Sequence, residues 1–224
     1  MINLVIYSCQ KNLKEAEKLY KHTRHKIPDH CRLFICYGDR KIRDTYEVRR
    51  HHLVLRCHDS YEHLTEKTLC LLQSVQQYDP DLEGLLKIDD DVILNYVALK
   101  EFLQSPHTAN DYMGRACIVD KPYQSRHHFG KVPASSPAAK QSFLVPKGVY
   151  AGGPFYYVGR KALKAFHDKG DAINSLFFED VTVGHHLMNE NIPLTPFPFF
   201  TDHYGSWSEH IGWHNTSHKH FPKL

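Results

Sequence analysis

No two cysteines of this chain form a CxxC pair, and no stretch reaches the length of a membrane-spanning helix. The six cysteines (Cys9, Cys31, Cys36, Cys57, Cys70 and Cys117) are scattered. They read as reduced thiols, several of them buried, more than as a disulfide framework, although an even count leaves bridges open. Net charge is small as well: 28 Lys and Arg against 25 Asp and Glu give +3, which is no electrostatic argument for nucleic acid. Residues 1–8 are a strand-length apolar run without a basic leader, too short for a secretory signal. The expectation is a soluble, cytoplasmic protein with no membrane span and no nucleic-acid partner. Also missing are the dinucleotide fingerprint GxGxxG and the P-loop GxxxxGK[ST], so any nucleotide must be held through a metal and carboxylates.

What the chain does have is ordinary bulk and one unusual cluster. At 224 residues, 42% hydrophobic and 24% charged, it has enough material for one sizeable α/β domain. The cluster is Lys87-Ile88-Asp89-Asp90-Asp91-Val92, with apolar residues on both sides. Three adjacent carboxylates repel one another and resist burial. They fit the carboxyl end of a strand, where α/β sheets open a ligand crevice. A hard divalent cation, Mg²⁺ or Mn²⁺, offsets the repulsion and completes its shell with substrate phosphates. An EF-hand does not fit, because its acids alternate and lead to a glycine. The plain alternative is a solvated acidic turn.

Upstream, the pattern alternates strand and helix. Residues 2–7 read as a buried strand, with Ser8 and Asn12 as candidate caps for a helix that presents Leu13, Ala16, Leu19 and Tyr20 on one face. Residues 32–37 read as a second strand ending at Gly38-Asp39, where the acid either reaches a ribose or caps the next turn. Residues 40–50 carry five basic side chains and read as a solvated face with a possible diphosphate contact. A third strand over 51–57, a helix over 62–77, the acidic strand end and a helix over 96–103 follow. Repeated β-α-β units predict a mostly parallel sheet with right-handed crossovers.

Downstream, residues 111–119 read as a strand. Residues 120–148 form a long polar loop, either bordering an acceptor site or inserted at the surface. Gly152-Gly153 precede an apolar strand over 155–158 and allow either close backbone approach to a ligand or a sharp turn. After a short helix over 160–168, Phe177-Phe178-Glu179-Asp180 open a helix running to about Asn189. The two acids are either dipole-stabilised caps or a cleft base whose basicity is raised by the neighbouring rings. The tail is rich in histidine. His210, His214 and His218 are spaced by four, yet Gly212 argues against a regular helix, and one folded-back histidine suits Mn²⁺ better than Mg²⁺.

Four stretches resemble one family in order and approximate spacing. Residues 59–68, DSYEHLTEKT, are similar to the "D-x-Y-x-N-L-T-x-K-T" stretch of β-1,3-galactosyltransferase-like enzymes, glycosyltransferase family 31, with His63 where Asn is usual. KIDDDVILN resembles their "K-x-D-D-D-V-F-V-N", Gly152-Gly153 and the next strand their "GG-x-x-Y-V", and Glu179-Asp180-Val181 with Gly184 their "E-D-V-x-x-G". The resemblance implies a single Rossmann-like GT-A domain over 1–224, with a nucleotide- and metal-binding half over 1–105 and an acceptor-side half with the tail over 106–224. It implies an inverting, metal-dependent transfer of a hexose (galactose, glucose or N-acetylglucosamine) from a UDP-sugar to a glycan or glycoprotein hydroxyl. By this analogy Asp180 is the catalytic base and Glu179 its neighbour. Asp91 and His214, favoured over His218 and His203, hold Mn²⁺ or Mg²⁺. Ser8, Cys9, Asp39, Lys67, Asp89, Asp90, Gly152 and Gly153 border the donor. Family members usually carry a membrane anchor and a lumenal, disulfide-bonded domain. This sequence is closer to the short soluble versions of large DNA viruses and microbes, which for a viral protein implies the host cytoplasm. The alternatives are a metal-dependent nucleotidyltransferase or nucleotide-sugar hydrolase, and a glycan-binding module without turnover.

Overall fold

A computed structural model describes residues 1–202 and 210–214, apart from the side chains of residues 107, 108 and 171. The first strand, β1 (Ile2–Tyr7), is buried along its whole length. It lies between β2 (Cys31–Gly38) and β5 (Gly84–Asp89), parallel to both, and β4 (His52–Leu55) continues the parallel set beyond β2. Such strands are covered on both faces, which is why they read as continuous apolar runs and not as alternation. Val5, Tyr7 and Leu85 point to one face, under Leu71, Leu72 and Val75 of α2 (Leu64–Tyr78) and Phe166 of α4 (Arg160–Lys169). Leu4, Ile6, Leu86 and Ile88 point to the other, under Ala16 of α1 (Leu13–Thr23) and Phe102 of α3 (Tyr96–Leu103).

The rest of the main sheet is mixed. The order is β11-β7-β10-β5-β1-β2-β4-β3, where β10 (Gly148–Gly159) runs antiparallel to both β5 and β7 (Tyr112–Val119), and β11 is Thr195–Pro196. The edge strand β3 (Tyr46–Arg49) pairs antiparallel with β4. It lies inside the basic stretch read as a solvated face: all five basic side chains are exposed, as that reading expects, while Tyr46 and Val48 pack against the core. The long polar loop also holds structure, a short antiparallel pair of β8 (Tyr123–Ser125) and β9 (Phe143–Val145). Neither expected cap acts as one: Asn12 makes no capping side-chain bond to α1, and Ser8 turns to Asp90 instead.

Two features aim the site. After Asp89 the chain makes a two-residue turn, Asp90-Asp91, into β6 (Val92–Leu94), which leaves the main sheet for a small one with β12 (Phe200–Thr201) and β13 (Gly212–His214). The last helix, α5 (Glu179–Asn189), packs on β10 so closely that a Cβ on Gly184 would sit 2.4 Å from that of Tyr150. No helix among the described residues is long and apolar enough to cross a membrane.

Candidate active site

The carboxyl ends of β1 and β5 and the amino end of α5 meet around one buried cation. Lys87 is only 1% exposed, and its neighbours on β5 bury it among strands. Its Nζ donates to Asp89 Oδ1 at 2.5 Å and to the Gly153 carbonyl at 2.7 Å, and lies 3.4 Å from Glu179 Oε1. The rings of Tyr7 and Tyr156 face it at 4.6 and 5.2 Å. A charge taken out of water this completely is tolerable only when paired and hydrogen-bonded. Burial opposes its protonation, but the Asp89 and Glu179 carboxylates outweigh that and hold the ammonium form firmly.

The five acids fall into distinct environments. Asp89 is pushed up to about 6 by burial, opposed by Lys87 and helped by the charge of Asp91. Burial also raises Asp90, whose Oδ2 accepts the Ser8 hydroxyl at 2.5 Å. Glu179 is pushed up to about 7 by burial, against the pull of Lys87 and with the push of Asp180. Its second oxygen accepts the Tyr156 hydroxyl at 3.0 Å. Asp180 is half-buried; burial raises it while backbone N–H groups of the first helical turn work against that, with Val181 N–H donating to Oδ1 at 2.9 Å. A side chain at Gly153 would come within 3.1 Å of Glu179 Oε1 and 3.4 Å of Asp180 Oδ2, so the bare backbone there is what lets the helix acids approach β10.

Asp91 faces the C-terminal strand. β13 pairs antiparallel with β6 and sets His214 opposite Val92. His214 Nε2 lies 3.5 Å from Asp91 Oδ2, while Nδ1 is 2.9 Å from Asp202 Oδ1, and Arg115 clamps the other Asp202 oxygen at 2.8 Å. Burial lowers the His214 pKa, but the Asp91 and Asp202 carboxylates outweigh it and raise it. His214 sits on a strand, in line with the argument from Gly212 against a helix; His203 and His218 lie outside the described residues.

These groups line two adjoining recesses. The larger, about 470 Å³, has Asp89, Asp91, His214, Glu179, Asp180 and Gly153 on its floor and Phe177, Phe178, Tyr61, His127 and Lys131 on its walls. The smaller, about 270 Å³, is bordered by Ser8, Cys9, Asp59, Lys67, Asp89, Asp90 and Asp91. Lys67 Nζ donates to the Ser8 carbonyl at 2.7 Å and to Asp59 Oδ1 at 3.0 Å, and Asp59 Oδ2 accepts from Gln10 N–H at 2.6 Å. These bonds fix the loop after β1. The structure therefore brings together Ser8, Cys9, Lys67, Asp89, Asp90, Asp91, Gly153, Glu179, Asp180 and His214. Asp39 and Gly152 stand apart: Asp39 caps its own turn by accepting from Lys41 N–H at 2.9 Å, and Gly152 packs against Phe200. Loop residues 120–148 reach the larger recess through His127 and Lys131. They are anchored by the fully buried ring of His128, whose Nε2 is 2.9 Å from the Ala138 carbonyl, and by a Ser136–Glu62 hydrogen bond.

A family model described as galactosyltransferase matches residues 38–198, most of the chain, including Asp89–Asp91 and Glu179-Asp180. The chain belongs to the galactosyltransferase family. Its members are glycosyltransferases, so this chain takes a donor sugar and a glycan acceptor. Among solved structures, one described as a glycosyltransferase involved in the glycosylation of the major capsid of PBCV-1 is similar over 96% of this chain and 93% of its own, with a TM-score of 0.50 and 14% identity. At that identity the likeness concerns the fold, and it agrees with the single α/β glycosyltransferase domain described above. No curated protein matched the sequence. Within the family frame, four residues to which sequence reasoning gave no role stand out: Lys87, Tyr156, Asp202 and Arg115. The one available signal was Lys87, a cation inside an otherwise apolar strand.

Proposed function

We propose that this galactosyltransferase-family chain moves a hexose from a UDP-sugar to a glycan or glycoprotein hydroxyl with inversion, with Mn²⁺ or Mg²⁺ held by Asp91 and His214. The observation carrying this reading is that a carboxylate–imidazole pair and a separate half-buried carboxylate, Asp180, line one recess. The donor set fits the ion. Asp91 offers oxygen, and His214, with Nδ1 facing Asp202, presents Nε2 toward Asp91, the arrangement in which a carboxylate orients a metal-binding imidazole. When bound, such an ion supplies Lewis-acid stabilisation of the charge that develops on a departing diphosphate. The two residues come from 1–105 and 106–224 respectively, so in this reading the metal pair bridges the nucleotide half and the acceptor half.

The chain's own groups account for the remaining needs of a displacement. Asp180 accepts the acceptor hydroxyl proton; burial raises its affinity for that proton, as a base working near neutrality requires. Both helix acids line the recess, but Lys87 pairs with Glu179 as it does with Asp89, which leaves Asp180 as the helix acid for proton transfer. The smaller recess, with Ser8, Cys9, Lys67, Asp89 and Asp90, borders the nucleotide, and the loop side chains His127 and Lys131 with Phe177 and Phe178 border the acceptor. The walls hold donor and acceptor in line and exclude water. Six free cysteines fit a reducing compartment, which supports the cytoplasm as the site of action.

The deciding experiment is a UDP-release assay over a panel of UDP-sugars with Mn²⁺, Mg²⁺ or EDTA, read beside thermal shift. Metal-dependent release from one preferred sugar is expected. Release of pyrophosphate or sugar phosphate would place the chain with nucleotidyltransferases or hydrolases, and neither a shift nor release would sink the metal–nucleotide reading.

A further inference from the structure

A second set of ligand atoms converges on the far side of β2 from β1, away from both recesses. Glu17 of α1, His51 of the β3–β4 turn and His52 at the start of β4 point their side chains at one another. His51 Nε2 lies 3.0 Å and His52 Nε2 2.9 Å from the same oxygen, Glu17 Oε1. All three ligand atoms fall within 4.8 Å of one another, and among the described residues no other group of three does so.

The backbone is arranged to permit this. Neighbouring residues on a strand point to opposite faces. His51 and His52 escape that rule because the hairpin turns at Arg50, which sits at φ 59, a left-handed conformation unfavourable for an arginine. The turn is pinned by Ile35 N–H donating to the His51 carbonyl at 2.8 Å. Each ring is then held by an aromatic: Tyr20 stacks on His51 with centroids 3.9 Å apart, and Tyr37 meets His52 edge-on at 5.7 Å. Nδ1 of His52 is buried without a hydrogen-bond partner, so Nε2 is the nitrogen this ring offers outward. The three side chains are 21–29% exposed, open enough for an ion to enter.

We propose that Glu17, His51 and His52 form a zinc site that ties α1 to the β3–β4 hairpin. Two imidazole nitrogens and one carboxylate oxygen, with a fourth position open to water, are a common zinc ligand set. With bonds of 2.0–2.1 Å, a tetrahedral ion needs ligand atoms about 3.3 Å apart, so the oxygen-to-nitrogen distances here need open by only a few tenths of an ångström. Each neutral ring coordinates through Nε2 and keeps its proton on Nδ1. The site differs from the recess pair Asp91–His214 in both residues and place.

The test is equilibrium dialysis of the chelator-stripped full chain against Zn²⁺, beside the Glu17→Gln and Asp91→Asn variants. ¹⁵N-histidine spectra of the native chain are recorded at the same zinc concentrations. The native chain should bind one zinc more than Glu17→Gln, the Asp91→Asn chain should still bind a zinc, and the Nε2 resonances of His51 and His52 should move together on zinc addition. Equal uptake by native and Glu17→Gln chains with unmoved His51 and His52 signals would overturn the proposal. So would an Asp91→Asn chain that binds no zinc, which would place the native zinc in the recess. The spectra use only the native protein, so a variant that fails to fold cannot hide the answer.

Discussion

The acids after β5 and the acids opening α5 are built on the same plan with different ends. Each group has one carboxylate bonded or paired to Lys87, Asp89 in the first and Glu179 in the second. Each then has a neighbour one or two residues on that faces the larger recess, Asp91 in the first and Asp180 in the second. The difference lies in what stands opposite. Asp91 meets an imidazole, His214, oriented by Asp202, whereas Asp180 is held by backbone N–H groups at a helix start. A carboxylate facing a nitrogen ligand is suited to share a cation, and one raised by burial is suited to take a proton. A single buried lysine thus serves two sites by occupying the partner acid of each.

Removing the carboxylate of Asp180, the proposed base, separates the two halves of that comparison most sharply. Asp180→Asn is expected to lower transfer by about 10²–10⁴-fold while UDP with metal still raises the melting temperature; loss of both together would mean that the two acid groups do not have separate roles. Lys87→Met strikes both groups at once. It leaves two largely buried carboxylates without their cation, and urea unfolding should show about 3–5 kcal/mol of lost stability. Asp91→Ala should abolish the metal-dependent thermal response to UDP. Asp202→Asn, which spares the ligands themselves, should weaken metal affinity by about 10–100-fold in a titration; an unchanged affinity would remove Asp202 from the metal's support. The smallest effect is on pH. Glu179 is raised when folded, so the native state holds more protons than the unfolded chain from the ordinary carboxylate range up to about 7. Stability should fall as pH rises through that window, and Glu179→Gln should flatten the slope in urea titrations at several pH values.

Much of this was legible in the residues because the signals were local. The end of β5 showed itself as an apolar run stopped by three acids, and α5 begins and ends at the residues read from the pattern. The parallel strands of the first half were legible from continuous apolarity, since both faces are covered. What the sequence hid was either masked or distant. β3 was masked by the charges around Tyr46 and Val48. Asp202 and Arg115 are 87 residues apart and become partners only when β12 and β13 fold onto β6. Lys67 was placed with the donor by resemblance, but its bonds to the Ser8 carbonyl and Asp59 depend on a turn that no periodicity predicts.

The pairing of β13 with β6 also sets an order of events. Asp91, in the turn before β6, and His214, on β13, are separated by more than half of the chain's length, and the antiparallel β6–β13 contact is the pairing made by the last described strand. During synthesis the acid cluster emerges long before the strand that carries His214, and long-range pairings of this kind form late. An incomplete chain can therefore build the central sheet and still lack the imidazole at its mouth. On the proposed reading the Asp91–His214 pair would form only once β13 has docked, so ion binding would be a readout of completed folding.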